Sequence, residues 1–146
     1  MSAGEAVAAA ALAAVGARFR LHGRSPESGL DCVGLTAWAA GVEAPTGYPL
    51  RGGEPGTVAA MLDRVLARAE GERVGDVLLM RTGPGQLHLG VWTADGLVHA
   101  DAGLRRVVVR PGMVGWPVLG RWRVGEDCPS PAFAALGTLS PEGERE

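Results

Sequence analysis

The apolar period of this chain changes once, at Gly71, and that change restricts the fold more than any other feature of the sequence. Before Gly71 the apolar residues recur at helical spacing. Glu5 to Phe19 reads as an Ala-rich helix with Leu12, Val15 and Phe19 on a narrow stripe. Asp31, a good N-cap type, precedes a helix of Cys-Val-Gly-Leu-Thr-Ala-Trp-Ala-Ala closed by Gly41. A third helix is predicted over Gly56 to Ala69, with Val58, Met61, Leu62, Val65 and Leu66 on one face. After Gly71 the period is two. Val77 to Arg81, Gln86 to Trp92, Leu97 to Asp101, Arg105 to Arg110 and Leu119 to Val124 read as strands separated by Gly-bearing turns. Helices first and an antiparallel sheet afterwards predict an α+β fold.

The 146 residues suit one domain. Its expected limits are residues 1–125, because 126–146 have no convincing period and read as a mobile tail. Arg20 to Gly29 reads as loop. The net charge is −2, and all fourteen cations are Arg, beside 23 Gly and no Lys, Ile or Asn. That pattern is the footprint of a GC-rich genome. Without a basic stripe it argues against nucleic acid as a partner. Met1 to Ala17 is Ala-rich, carries Glu5 and lacks a basic start, so it is a poor secretory signal. No apolar run is long enough to span a membrane. Two cysteines, Cys32 and Cys128, exclude a disulfide framework.

Cys32 falls in the first turn of the second helix, where unpaired N–H groups and the helix dipole favour a thiolate. The bland alternative is a small buried hydrophobe. In Gln86 to Trp92, His88 shares a strand face with Gly90 and Trp92, while Leu87, Leu89 and Val91 take the other. If Thr93 to Gly96 forms the hairpin loop, Trp92 pairs with Leu97 and Gly90 with His99. His99 is then diagonal to His88 on one face, within reach of two imidazoles. A two-residue Asp95-Gly96 turn would keep both histidines on one face but too far apart for contact, and a three-residue loop would put them on opposite faces. With Cys32 as nucleophile, His88 would take its proton and His99 would orient His88. Each histidine taken alone also reads as an ordinary strand residue. A zinc site of Cys32, His88, His99 and Asp101 is a further reading, although no close-spaced ligand pair such as CxxC accompanies it. No cofactor is expected.

At GLDCVGL (Gly29 to Leu35), GDVLLM (Gly75 to Met80), QLHLGVW (Gln86 to Trp92) and LVHAD (Leu97 to Asp101), the chain resembles the NlpC family of papain-like cell-wall peptidases. Order and spacing match from about Val15 to Val124. The resemblance looks closest to the peptidases of phage tails and gene transfer agents, in which a run like GARFRLHGRSP precedes the Asp-Cys. It implies a papain-like α+β core and hydrolysis of amide bonds in peptidoglycan stem peptides, usually between D-Glu and a diamino acid. It carries the nucleophile to Cys32, the base to His88 and the third polar position to His99.

Two positions depart from the family pattern. Val33 stands where Ser commonly follows the cysteine. Phe19 stands where a Tyr hydroxyl often helps bind the oxyanion, a loss worth about 10²–10³ in rate. The Cys32 backbone N–H and His22 are candidates to compensate, although His22 also reads as a plain loop residue. Asp31 caps the helix, yet its charge opposes thiolate formation at Cys32. Arg20, Arg24, Arg105 and Arg106 read either as carboxylate clamps or as solvated charges.

Two functions follow as expectations. One is a cysteine endopeptidase made in the cytoplasm without a signal peptide and carried to the cell wall by a phage-like particle. The other is a non-catalytic tail or scaffold protein that keeps the fold and binds peptidoglycan or partner subunits.

Overall fold

The computed structural model describes residues 2–44 and 54–125. The expected tail 126–146, with Cys128, lies outside the described residues.

Helix α1 (Ala3–Ala13) begins two residues earlier than the sequence predicts, because Ser2 and Glu5 form a capping box. It also ends earlier. Gly16 adopts a left-handed φ of 95° and turns the chain out of the helix, and its N–H donates to the Val107 carbonyl at 2.8 Å. The expected stripe of Leu12, Val15 and Phe19 is therefore not the packed face. Ala3, Ala6, Val7, Ala10, Ala11 and Ala14 are buried instead, so small side chains let α1 lie close on its neighbours. Phe19 sits in an extended run, bridged in parallel to Leu30 and bonded through its N–H to Arg105.

The predicted loop at 20–29 contains a small antiparallel pair, β1 (Arg24–Ser25) with β2 (Gly29–Leu30). Helix α2 (Cys32–Ala40) matches its sequence reading, with Asp31 as N-cap and Gly41 left-handed at its end. Helix α3 (Pro55–Asp63) stops short of the predicted Ala69. There Ala67–Arg68 becomes strand β3, drawn to the sheet edge. Val58 and Leu66 are buried, whereas Val65 from the predicted face is exposed.

Strands β4 (Val77–Gly83), β5 (Gln86–Thr93), β6 (Gly96–Asp101), β7 (Arg106–Arg110) and β8 (Val118–Arg123) complete a six-stranded antiparallel sheet in the order β3-β8-β4-β5-β6-β7. Period-two alternation sorts its side chains onto two faces. Leu79, Leu87, Leu89, Val91, Val98 and Trp122 join the main core under α1 and α2. Leu78, Met80 and Leu97 form a smaller cluster on the opposite face, covered by Trp92, Val114 and Trp116. No helix among the described residues is long and apolar enough to cross a membrane.

Candidate active site

Cys32 opens α2, and Asp31 fixes that opening. Asp31 Oδ1 accepts from the Gly34 N–H at 2.7 Å, and its Oδ2 accepts from the His22 N–H at 2.8 Å. Arg24 Nη1 lies 3.2 Å from Oδ1. One carboxylate thereby ties the start of α2 to the preceding loop, where His22 takes a left-handed φ of 63°.

Of the registers open to the hairpin, the structure takes the one that pairs Trp92 with Leu97, but the ladder runs on to Thr93–Gly96 and shortens the loop from four residues to two. Val91 pairs with Val98, Trp92 with Leu97 and Thr93 with Gly96, leaving Ala94 and Asp95 as the loop. The ladder then stops, so the expected Gly90–His99 pair does not form. Strand β5 still extends back to Gln86 and β6 on to Asp101. There β5 stays paired with β4 and β6 with β7, but the two no longer pair with each other, and Cys32 at the start of α2 borders the gap. The Leu89 backbone N–H acts on the Cys32 thiol there and favours its thiolate. Cys32, on the helical side of the sheet, and His88, whose strand face is the opposite one, thus both border the same cavity.

A cavity of about 430 Å³ occupies the gap. Cys32, Asp31, His88, Leu87, Ala100 and Ala102 line it, with Phe19, Leu21 and His22 also on its wall. His88 Nε2 lies 3.0 Å from His99 Nδ1, and the rings are nearly perpendicular at 86°. The structure thus places Cys32 and His88 on one cavity and His99 directly behind His88. Phe19 offers no hydroxyl. His22 is on the same wall and carries a backbone bond to Asp31. The zinc reading has no geometric support, since the described residues contain no group of three or more His, Cys, Asp or Glu placed to hold a metal ion.

The electrostatics correct one expectation. The N–H groups at the helix start act to lower the Cys32 thiol pKa, but burial outweighs them. Cys32 is 5% exposed, and its burial pushes the thiol up to about 12. The Asp31 charge adds to the rise, while the N–H groups of Leu89, Val33 and Cys32 itself oppose it. His88 moves the other way, down to about 4, chiefly by burial and then by the charge His99 would carry, against the pull of Asp101. His99 is lowered by burial and by Arg110, with Asp101 opposing. At neutral pH the site therefore rests as a thiol beside two neutral imidazoles.

Two contributors escape the sequence reading. The Leu89 N–H is invisible because any strand residue has one, and only the parting of β5 and β6 frees it. Trp116 is the other. It lies edge-to-face with both histidines, at centroid distances of 5.9 Å to His88 and 5.3 Å to His99. Its only sequence signal is a large aromatic between Gly115 and Pro117.

No protein-family model matches this sequence, and no curated protein does. Among solved structures, NlpC2 from Trichomonas vaginalis aligns with a TM-score of 0.65 at 20% identity, covering 84% of this chain and 47% of that one. A protein similar to lipoprotein, of the NLP/P60 family, from Staphylococcus aureus subsp. aureus Mu50 gives a TM-score of 0.56 at 18% identity, covering 84% and 41%. The chain spans a little under half the length of each of these structures. Helices stacked on one face of an antiparallel sheet give this chain the NlpC/P60 papain-like α+β fold.

Proposed function

We propose that this chain is a cysteine peptidase that hydrolyses amide bonds in peptidoglycan stem peptides. The observation that carries the reading is that His88 lines the same cavity as Cys32 while its Nε2 lies 3.0 Å from His99 Nδ1. The motifs around Cys32, His88 and His99 and the NlpC/P60 fold support it.

In this mechanism Cys32 Sγ attacks the scissile carbonyl carbon as His88 removes the thiol proton through Nδ1. The C=O electrons move onto oxygen. The amine then leaves with the proton from His88, giving a thioester that water hydrolyses with His88 again as base. His99 holds His88 in position. The Cys32 backbone N–H is the natural oxyanion donor, since Phe19 offers none. The resting thiol matters here. With Cys32 raised and His88 lowered, the site starts from thiol and neutral imidazole, and His88 takes the proton as the sulfur attacks. The bond between D-Glu and a diamino acid is the proposed target, and delivery by a phage-like tail is the proposed route to it.

A second reading, a non-catalytic protein of the same fold that binds peptidoglycan or partner subunits, is favoured by the raised thiol and by Phe19. Purified protein incubated with peptidoglycan separates the two. The peptidase releases new amino termini, and Cys32→Ala abolishes them. Equal release by wild type and Cys32→Ala ends the enzyme reading, and the masses of products from defined muropeptides identify the bond.

A further inference from the structure

His99 is 2% exposed, and its Nε2 is a buried polar atom without a hydrogen-bond partner among the described residues. A neutral imidazole has one N–H and one lone pair, so the state of Nε2 dictates that of Nδ1, and through the 3.0 Å contact it dictates His88 as well. Two chains of tautomers are available. In one, His99 carries its proton on Nε2 and accepts at Nδ1 from His88 Nε2–H, which leaves a lone pair on His88 Nδ1. In the other every proton is moved to the opposite nitrogen, and His88 Nδ1 carries hydrogen.

The surroundings of His99 discriminate between them. Trp116 stands perpendicular to His99, with an interplanar angle of 89° and centroids 5.3 Å apart, the arrangement in which an N–H can meet the negative face of an aromatic ring. Arg110 lies over the Trp116 ring at 4.5 Å from its centroid, so a cation–π contact holds the indole against the pair. The charged groups facing His99 are Asp101 and Arg110, which act on it in opposite directions. Neither provides a conventional partner for Nε2.

We propose that Trp116 is a positioning residue: its ring accepts the His99 Nε2–H, fixes that tautomer, and thereby leaves the lone pair of His88 on Nδ1. This rests on the peptidase reading for its catalytic meaning, since a base at Nδ1 is what attack by Cys32 requires. The assignment of the tautomer stands apart from catalysis.

The test is nitrogen NMR of the full chain with ¹⁵N-labelled histidine at neutral pH. Expected are protonated, pyrrole-type Nε2 signals for both His88 and His99, and pyridine-type Nδ1 signals for both. A pyridine-type Nε2 on His99 in the wild type overturns the proposal without any variant. Trp116→Leu removes the ring face and Trp116→Phe retains one. Mixed tautomers in Trp116→Leu, with the wild-type pattern kept in Trp116→Phe, support the role. An unchanged His99 pattern in a folded Trp116→Leu protein overturns it. In the same variants kcat should fall about 10- to 100-fold for Leu, the usual scale for a partner that orients a functional side chain through its far nitrogen, and less for Phe. Should Cys32→Ala show that there is no peptidase activity to measure, the function fails while the NMR still decides the tautomer.

Discussion

Cys32 and His88 leave their ordinary titration ranges in opposite directions, and both departures couple proton binding to folding. The imidazole of His88 falls from 6.5 to about 4, so between those values the unfolded chain binds more protons than the folded one. Stability is therefore fully present above about pH 6.5 and is lost as pH falls toward 4. The shift corresponds to about 3 kcal/mol at most, reduced by the partial exposure of His88. The Cys32 thiol rises from 9.0 to about 12, so there the folded chain binds more protons, and stability declines as pH climbs past 9. Few other groups titrate in that alkaline range, because the chain has no Lys and a single Tyr. Urea unfolding across pH 4 to 11 should thus give a plateau with two falling limbs. Cys32→Ala should flatten the alkaline limb, and His88→Gln should shrink the acid one. An alkaline limb that persists unchanged in Cys32→Ala contradicts the burial of the thiol.

At the scale of elements, the start of α2 was legible and its consequences were not. Asp31 before an apolar run and Gly41 after it mark both ends from local chemistry alone, and the helix follows them. What sequence could not show is that Asp31 also binds the His22 N–H, or that Gly34 lies so close to the Gly23 carbonyl that a Cβ would strike it. Both facts depend on where the loop returns. In helix α1 hydropathy points to Leu12, Val15 and Phe19, whereas close packing selects the alanine face. The double role of Asp31 gives a separable prediction. Asp31→Ala removes the cap and the loop tie, and should cost about 1–2 kcal/mol in chemical denaturation. Asp31→Asn keeps an acceptor for the Gly34 N–H but removes the charge beside Cys32. Its thiol should then react with iodoacetamide at lower pH than in the wild type, with a smaller loss of stability. An alkylation profile identical to wild type would show that the Asp31 charge does not reach the sulfur.

Across the whole molecule, the sheet had to be found in two stages. Strand positions and hairpin register follow from period-two alternation and turn chemistry, so the approach of His88 to His99 was readable. The parting of β5 and β6, which frees the Leu89 N–H and opens the cavity to Cys32, follows from the docking of α2 and has no local signal. The order β3-β8-β4 was equally hidden, because the last strand returns to lie between the short edge strand β3 and the first long strand β4. A buried charge cluster holds that return. Asp76, fully buried just before β4, accepts from Arg123 Nε at 2.7 Å and Nη2 at 2.9 Å, from Arg121 Nη1 at 3.0 Å and from the Arg73 N–H at 3.1 Å. Both arginines belong to β8. Removing the one carboxylate leaves two guanidiniums facing each other with no counter-charge. For a fully buried group such a loss costs about 3–5 kcal/mol, and here somewhat less, since the arginine side chains are 19% and 23% exposed. Asp76→Asn should therefore cost about 2–4 kcal/mol in urea. Its amide hydrogen exchange should accelerate first in β8 and β3, ahead of the β5–β6 hairpin. Uniform acceleration across all strands would mean that β8 is held by the packing of Trp122 and that the cluster is only tolerated there.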